Sequence, residues 1–159
     1  MMSRRRWLQK AVSLAMLALL PVTLAGCGSS DGGENVTALE IGCNGDELAF
    51  DRAALQAPAG ASVALTFTNR SSHHQHNWVL VNGTDEEAMA VYEAALVAGP
   101  KNNWLPANHA HILVHTPLLA SGTNATVRFQ APERAGDYRY LCTFPGHFLA
   151  GMKGTLTVT

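Results

Sequence analysis

Residues 142–159 read CTFPGHFLAGMKGTLTVT, and this stretch indicates both the fold and the chemistry of the chain. Its second half, GTLTVT, alternates apolar residues with threonine, a period of two that predicts a β-strand with one buried face. In its first half, Cys142, His147 and Met152 are each separated by four residues. The stretch therefore predicts a loop that presents two sulfur atoms and one imidazole, held between two neighbouring strands.

The same alternation recurs upstream of this stretch. In ASVALTFT, residues 61–68, the side chains of Val63, Leu65 and Phe67 share one face of a predicted strand. Two further sets alternate in the same way: Ala125, Val127 and Phe129, and Tyr138, Tyr140 and Cys142. Several short strands with turn signals between them predict an all-β sandwich.

The segment HNWVLV, residues 76–81, is apolar on both faces and predicts an interior strand. The segment that follows breaks the β pattern. Residues 84–97, TDEEAMAVYEAALV, consist largely of helix formers, and Thr84 with Glu87 three positions later predicts a capping box. Gly99 and the proline after it end the segment. We expect one α-helix outside the sandwich.

Four side chains form a set of soft ligands. His76, at the head of HNWVLV, joins Cys142, His147 and Met152 of the C-terminal loop. One thiolate, two imidazoles and one thioether favour copper over hard cations. Two histidines and one cysteine in a trigonal plane, with a long axial methionine, are the ligands of a type 1 (blue) copper site that transfers electrons.

The motifs HNWVLV and CTFPGHFLAGMKGTLTV resemble the azurin and auracyanin branch of the cupredoxins. Azurins have one residue fewer between the histidine and the methionine, so the spacing in this chain is that of auracyanins. The resemblance implies a Greek-key β-sandwich of about eight strands with one external α-helix, over residues 36–159. It also implies one copper per chain, and a monomeric electron carrier with redox protein partners rather than an enzyme.

The resemblance also implies roles for residues near the ligands. Asn77 would tie the ligand strand to the loop near Thr143, and the carbonyl of Gln75 would be a weak axial neighbour of the copper. The ring edge of His147 would be exposed as the electron port. Around it would lie an apolar patch, here called the loop patch, formed by Phe144, Pro145, Phe148 and Leu149.

Residues 1–26 are predicted to be a lipoprotein signal peptide. A basic start precedes an apolar stretch, residues 11–25, that is too short for a comfortable bilayer span. The stretch ends in Leu24-Ala25-Gly26-Cys27, which resembles a bacterial lipobox with Cys27 as the lipidated residue. Residues 27–35 would then be the lipidated cysteine and a flexible linker. We expect an exported protein, anchored to the membrane and facing the periplasm or the cell exterior.

The distribution of charge argues against a nucleic-acid partner. Arg4, Arg5, Arg6 and Lys10 lie in the predicted signal peptide, whereas all 12 acidic residues lie from Asp31 onward. The exported domain is therefore acidic, and phosphate backbones bind basic surfaces.

Several alternatives stay open at this level. Cys27 could follow an ordinary signal peptide by chance, and the run of arginines could be a twin-arginine signal or a plain basic start. Cys43 could be a buried small residue, an exposed thiol that dimerises the chain or, without a lipobox, a disulfide partner of Cys27. A copper-delivery protein and a structural zinc site are alternative functions. The alternation in HAHILVH predicts that His109 and His111 lie on one face of a strand. We nevertheless expect the remaining histidines to be solvated rather than to form a second metal site: His73, His74, His109, His111 and His115.

Overall fold

Alternating apolar residues build two β-sheets in the computed structural model, which describes residues 35–159. This part of the chain forms eight strands: β1 (Thr37–Gly42), β2 (Ala54–Ala57), β3 (Ser62–Thr68), β4 (Val79–Val81), β5 (Ile112–His115), β6 (Asn124–Gln130), β7 (Gly136–Leu141) and β8 (Lys153–Val158). Helix α1 (Asp85–Ala98) and a short 3₁₀ helix (Pro100–Asn102) lie between β4 and β5. The predicted eight-stranded sandwich with one external helix is confirmed.

The smaller sheet has the strand order β1-β3-β6, and the larger sheet has the order β2-β8-β7-β4-β5. The chain therefore crosses from the first sheet to the second between β1 and β2. Both of these strands pair in parallel with their neighbours, β1 with β3 and β2 with β8, whereas the other pairs are antiparallel. Each sheet therefore has a parallel pair at one edge, and the pair of β2 with β8 joins an early part of the domain to its last strand.

The core lies between the two sheets. Strand β3 turns Val63, Leu65 and Phe67 inward, each at most 1% exposed, as the alternation predicts. The larger sheet contributes, among others, Trp78, Leu80, Tyr140 and Leu156 to the same buried cluster. Full burial of each large apolar side chain stabilises the fold by about 1.5–3 kcal/mol.

Strand β4 is buried on both faces because it has a packed layer on each side. Trp78 and Leu80 face the core between the sheets, whereas Val79 and Val81 belong to a second cluster beneath helix α1. β4 also has a hydrogen-bonded strand on each edge, β7 and β5. The prediction of an interior strand is confirmed, although regular pairing covers only the last three residues of HNWVLV.

Helix α1 begins with the predicted capping box. The Thr84 hydroxyl accepts a hydrogen bond from the Glu86 amide at 3.3 Å, and the Glu87 carboxylate accepts one from the Thr84 amide at 2.7 Å. These bonds satisfy amide groups that have no partner within the helix. The helix ends at Gly99, which has a positive φ of 69°.

The segment before β5 differs from the prediction. His109 and His111 were expected on one face of a strand, but both lie in turns that precede Ile112. Asn108, with φ of 55°, turns the chain there, and the His109 ring nitrogen accepts a hydrogen bond from the His111 amide at 3.4 Å. The two histidines therefore belong to a turn. Within residues 35–159, no helix is both long and apolar enough to cross a bilayer.

Gly154 generates a test of this packing. It pairs with Tyr140 across β7 and β8, and a methyl group at Gly154 would overlap the Tyr140 ring and its hydroxyl. We expect Gly154→Ala to lower the free energy of unfolding by about 1–3 kcal/mol in urea, because overpacking forces the ring to move. Tyr140→Phe removes the hydroxyl, so the double variant should lose less than the sum of the two single losses. Strict additivity would contradict this explanation.

Candidate metal centre

Three of the four predicted ligands lie on the loop between β7 and β8. The Cys142 amide donates to the carbonyl of Met152 at 3.1 Å, so the two ends of the loop are held side by side. The Met152 amide in turn donates to the carbonyl of His147 at 3.0 Å. Cys142 and Met152 are 0% exposed and His147 is 3% exposed. The loop therefore folds its cysteine, histidine and methionine into the interior.

His76 reaches the same place from the segment before β4. It forms an isolated antiparallel bridge with Leu119, with hydrogen bonds of 3.2 and 2.8 Å between the two backbones. The side chain is fully buried, and its Nε2 has no hydrogen-bond partner among the described residues. The backbone bridge therefore holds the main chain of His76 in position.

The three side chains converge on one point. Their ligand atoms all lie within 4.8 Å of one another. The Cys142 Sγ lies 3.5 Å from Nδ1 of His147 and 3.8 Å from Nδ1 of His76. Metal–nitrogen and metal–sulfur bonds of about 2.0 and 2.3 Å, at about 120° to each other, separate the two ligand atoms by about 3.7 Å. The pocket thus fits one metal ion with these three atoms in a plane around it.

Asn77 and Thr143 join the two parts of the centre. Asn77 donates from its side chain to the Thr143 hydroxyl at 2.7 Å and accepts from the Thr143 amide at 2.8 Å. Both residues are 0% exposed, so water does not compete for these bonds. The pair connects the residue after His76 to the residue after Cys142.

Asn69 also connects segments of the metal centre through hydrogen bonds, a role that the sequence analysis did not predict. Its buried side chain donates to the carbonyls of His74 and Leu119 at 2.8 and 3.0 Å. Its Oδ1 accepts from the Ser71 amide and hydroxyl at 3.0 and 2.8 Å, and from the Cys43 thiol at 3.3 Å. Because Leu119 also pairs with His76, Asn69 supports a ligand that it does not touch. Its only signal in the sequence is a polar residue directly after a buried strand.

Cys43 is a free thiol with 1% exposure, and it accepts a hydrogen bond from the Arg70 amide at 3.0 Å. The interpretation of Cys43 as an exposed thiol that dimerises the chain is therefore wrong, because the end of β1 is covered by the segment after β3. The predicted lipidation site Cys27 lies outside the described residues. The same holds for the signal peptide and all but the last residue of the linker.

Burial sets the electrostatics of the pocket. It raises the pKa of the Cys142 thiol to about 12, against hydrogen bonds from the amides of Asn77 and Phe144 that lower this pKa. Burial also lowers the pKa of both imidazoles, His76 and His147, to about 4, with a further contribution from the neighbouring histidine rings. The centre is therefore electrically neutral at pH 7 before a cation arrives.

A sequence model described as copper-binding proteins of the plastocyanin/azurin family matches residues 37–159. The chain belongs to this family. Its membership agrees with the pocket, in which His76, Cys142 and His147, together with Met152, are arranged as a type 1 copper site. Copper is therefore the cofactor of this family member.

Relatives within the family include the auracyanins. Auracyanin-A of Chloroflexus aurantiacus is 42% identical over 154 residues, which cover 91% of this chain and 94% of the relative. Azurin of Bordetella pertussis is 35% identical over 118 residues, which cover 70% of this chain and 77% of the relative. The crystal structure of dithionite-reduced auracyanin from Roseiflexus castenholzii superimposes with a TM-score of 0.75 at 41% identity, over 77% of this chain and 97% of that one.

The surroundings of His147 differ from the expectation in two respects, and the first concerns the loop patch. Phe148 of the loop patch is only 4% exposed and packs its ring against Tyr92 of helix α1 at 5.4 Å. It is therefore part of the core under the helix rather than of the surface. Leu149 is 66% exposed, and Phe144 and Pro145 are half-buried.

The His147 ring itself is enclosed by other rings. Phe144 lies 4.7 Å from it, and Trp104 makes an edge contact with Phe144 at 6.2 Å. His74 approaches both ligand imidazoles, at 5.8 Å from His147 and 6.0 Å from His76. Rings of Phe144 and His74 therefore cover the edge of the His147 ring that was expected to be open.

Gln75, whose carbonyl was expected near the copper, has an exposed side chain.

The pKa values of the three ligands predict the proton balance of metal binding. At pH 7 the Cys142 thiol is protonated and the two imidazoles are neutral, so binding of Cu(II) should release one proton. At pH values between the pKa of the imidazoles and the pKa of the thiol, the affinity for Cu(II) should rise about tenfold per pH unit. Calorimetry at pH 7 in two buffers of different ionisation enthalpy measures the release. The Cys43→Ala variant should release the same number of protons. Release of two or more protons would contradict the prediction that both imidazoles are neutral at pH 7.

Proposed function

We propose that this chain is a one-electron carrier that holds a single copper ion through His76, Cys142, His147 and Met152. The observation that carries the proposal is the buried triangle of ligand atoms formed by the Cys142 sulfur and the Nδ1 atoms of His76 and His147. Copper held by such a ligand set supplies a Cu(I)/Cu(II) couple and the intense colour of thiolate-to-copper charge transfer.

The protein contributes rigidity to this function. Electron transfer is fast when the ligands keep their positions in both oxidation states. The Asn77–Thr143 pair and the Asn69 network support this, because they hold the two ligand-bearing segments by buried hydrogen bonds. Burial of the ligands also excludes water, which would otherwise reorganise around a changing charge.

Electrons would enter and leave at the end of the sandwich that carries the loop. We propose that Phe144, Pro145 and Leu149 form the contact surface there, with Trp104 behind Phe144 and His147 as the ligand nearest to it. A small, largely apolar surface desolvates easily and gives the brief contacts that redox proteins need. The partners in this proposal are redox proteins, one donor and one acceptor, and the chain acts as a monomer.

The proposal includes export and a lipid tether. Residues 1–26 would be removed, Cys27 would be lipidated, and the next eight residues give a reach of about 16 Å as a flexible linker. The register of β1 supports this arrangement. Thr37 pairs with Val63 near the start of β3, whereas β3 ends on the side from which the chain continues to His76. A tether attached before β1 would therefore hold the domain by the end opposite to the metal centre, and the loop would face the partners.

Electrochemistry tests the carrier function directly. The copper-loaded protein should give a reversible one-electron wave, and Cys142→Ser should lose both the blue colour and the wave. Met152→Leu should keep the blue colour but shift the potential, because the axial ligand tunes it. A blue protein without a reversible wave would favour copper delivery instead. An unchanged potential in Met152→Leu would mean that another group is the axial ligand.

Mass spectrometry of the protein isolated from membranes tests the tether. We expect a chain that begins at Cys27 and carries added acyl mass. Cys27→Ser should abolish both the added mass and the membrane association, while Cys43→Ser, the matched control, should leave them unchanged. An exported chain with unmodified Cys27 would show that the tether is wrong and would leave the copper site unaffected.

A further inference from the structure

Helix α1 contacts the metal-binding loop through Tyr92. This side chain is only 3% exposed, and its hydroxyl oxygen accepts a hydrogen bond from the Gly146 amide at 2.7 Å. The ring of Tyr92 packs against Phe148 at 5.4 Å. Tyr92 therefore touches the residue before His147 and the residue after it.

The loop has few other fixed points outside itself. Most of its backbone hydrogen bonds stay within the loop, such as those from His147 to Phe144 and from Ala150 to Gly146. Among the described residues, the side chains that hydrogen-bond to the loop backbone from outside are Asn77, at Thr143, and Tyr92, at Gly146. Asn77 thus fixes the cysteine end, and Tyr92 fixes the middle, beside His147.

Gly146 requires such support. Its φ of 85° lies in the left-handed region, which glycine adopts readily, and a glycine also has more alternative backbone conformations than any other residue. The peptide between Gly146 and His147 sets the direction of the imidazole, which must keep its Nδ1 at 3.5 Å from the Cys142 sulfur. The Gly146 amide belongs to the peptide between Pro145 and Gly146, so its hydrogen bond to Tyr92 fixes the backbone on the N-terminal side of Gly146, one peptide before His147.

The helix is itself fixed against the same loop. Asp85, in its first turn, forms ion pairs with Arg139 of β7 at 2.9 Å and with Lys153 at 3.6 Å. Lys153 directly follows Met152, and its ammonium group lies 5.4 Å from the centre of the Phe148 ring. Contacts from α1 thus reach the loop beside both His147 and Met152.

We propose that helix α1 is a brace for the metal-binding loop, with Tyr92 as the positioning residue for His147. The proposal rests on the proposed function of the loop as a copper site. It assigns to the helix a role in holding the ligand geometry, in addition to its role in covering the sheet.

The test is Tyr92→Phe, which removes the hydroxyl and keeps the ring. Tyr138→Phe is the matched control, because the Tyr138 hydroxyl also makes one hydrogen bond to a backbone group, the Arg134 carbonyl at 2.8 Å. Tyr138 lies on β7, away from the loop, and is 8% exposed. The two variants should lose similar stability towards urea, so an effect on the metal centre in one alone is not a result of general destabilisation.

Two measurements separate the variants. In the copper-free protein, the Gly146 amide should exchange with solvent about tenfold faster in Tyr92→Phe than in the unchanged chain or in Tyr138→Phe. In the copper-loaded protein, transfer of copper to a Cu(I) chelator should be about fivefold faster in Tyr92→Phe, with a changed ratio of charge-transfer bands. If Tyr92→Phe does not fold, Asp85→Asn at the exposed end of the helix should speed copper transfer in the same direction.

The outcomes distinguish this inference from the proposed function. Equal amide exchange and equal copper transfer in the two tyrosine variants would overturn the role of the helix as a brace. The electron-carrier function would still hold if the chain without substitutions were blue and gave a reversible wave. If the unchanged chain bound no copper, the proposed function would fail. Faster Gly146 exchange in Tyr92→Phe alone would still support the brace in that case.

Discussion

The sulfur of Cys142 has to be an anion in order to bind a metal, yet it lies where water cannot reach it. An unpaired negative charge at such a position is strongly unfavourable. The polypeptide resolves this by keeping the pocket neutral without a cation, with a protonated thiol and two uncharged imidazoles. The domain can then fold with an apolar interior, and the charged thiolate arises only together with the cation that neutralises it. The remaining features of the centre serve to hold three neutral groups at the separation that the metal requires.

That separation is maintained by residues that are not ligands. Asn77 connects the two ligand-bearing segments directly, and Asn69 acts through Leu119, which is paired with His76. Both asparagine side chains make several hydrogen bonds in the interior, and a buried network that is fully satisfied favours a single arrangement of its members. The ligand geometry is therefore a property of the two sheets and their connections, and the loop alone would not define it.

The sequence predicted what depends on local pattern. The alternation in residues 61–68 predicted the inward face of β3, and Thr84 with Glu87 predicted the start of α1. The spacing of Cys142, His147 and Met152 predicted the ligand loop, because each of these residues has few alternative roles at that spacing. The soft set of ligand types added His76 to the same centre, and the family resemblance added Asn77.

Most of the remaining features depend on neighbours that are distant in the chain, so no local pattern could reveal them. Phe148 resembles a surface residue of the loop until helix α1 is placed above it. Cys43 lacked a partner in the sequence, and its burial follows from the segment after β3 that covers it. His109 and His111 alternate as in a strand, but the left-handed backbone at Asn108 turns the chain before β5 begins. Tertiary contacts thus completed the local signal for Phe148 and Cys43, whereas a turn close in sequence overrode it for the two histidines.

The pairing of β2 with β8 has a consequence for the time at which this domain becomes a folded protein. Ala54, near the start of the domain, is aligned with Thr155, close to its last residue. Contacts between such remote parts of a chain slow folding, since a long loop has to close before they form. The edge of the larger sheet, and with it the strand that follows Met152, is complete only after β8 has been synthesised and has paired with β2. The metal-binding loop lies directly before β8, so it reaches its final position only when strands from both parts of the domain have met.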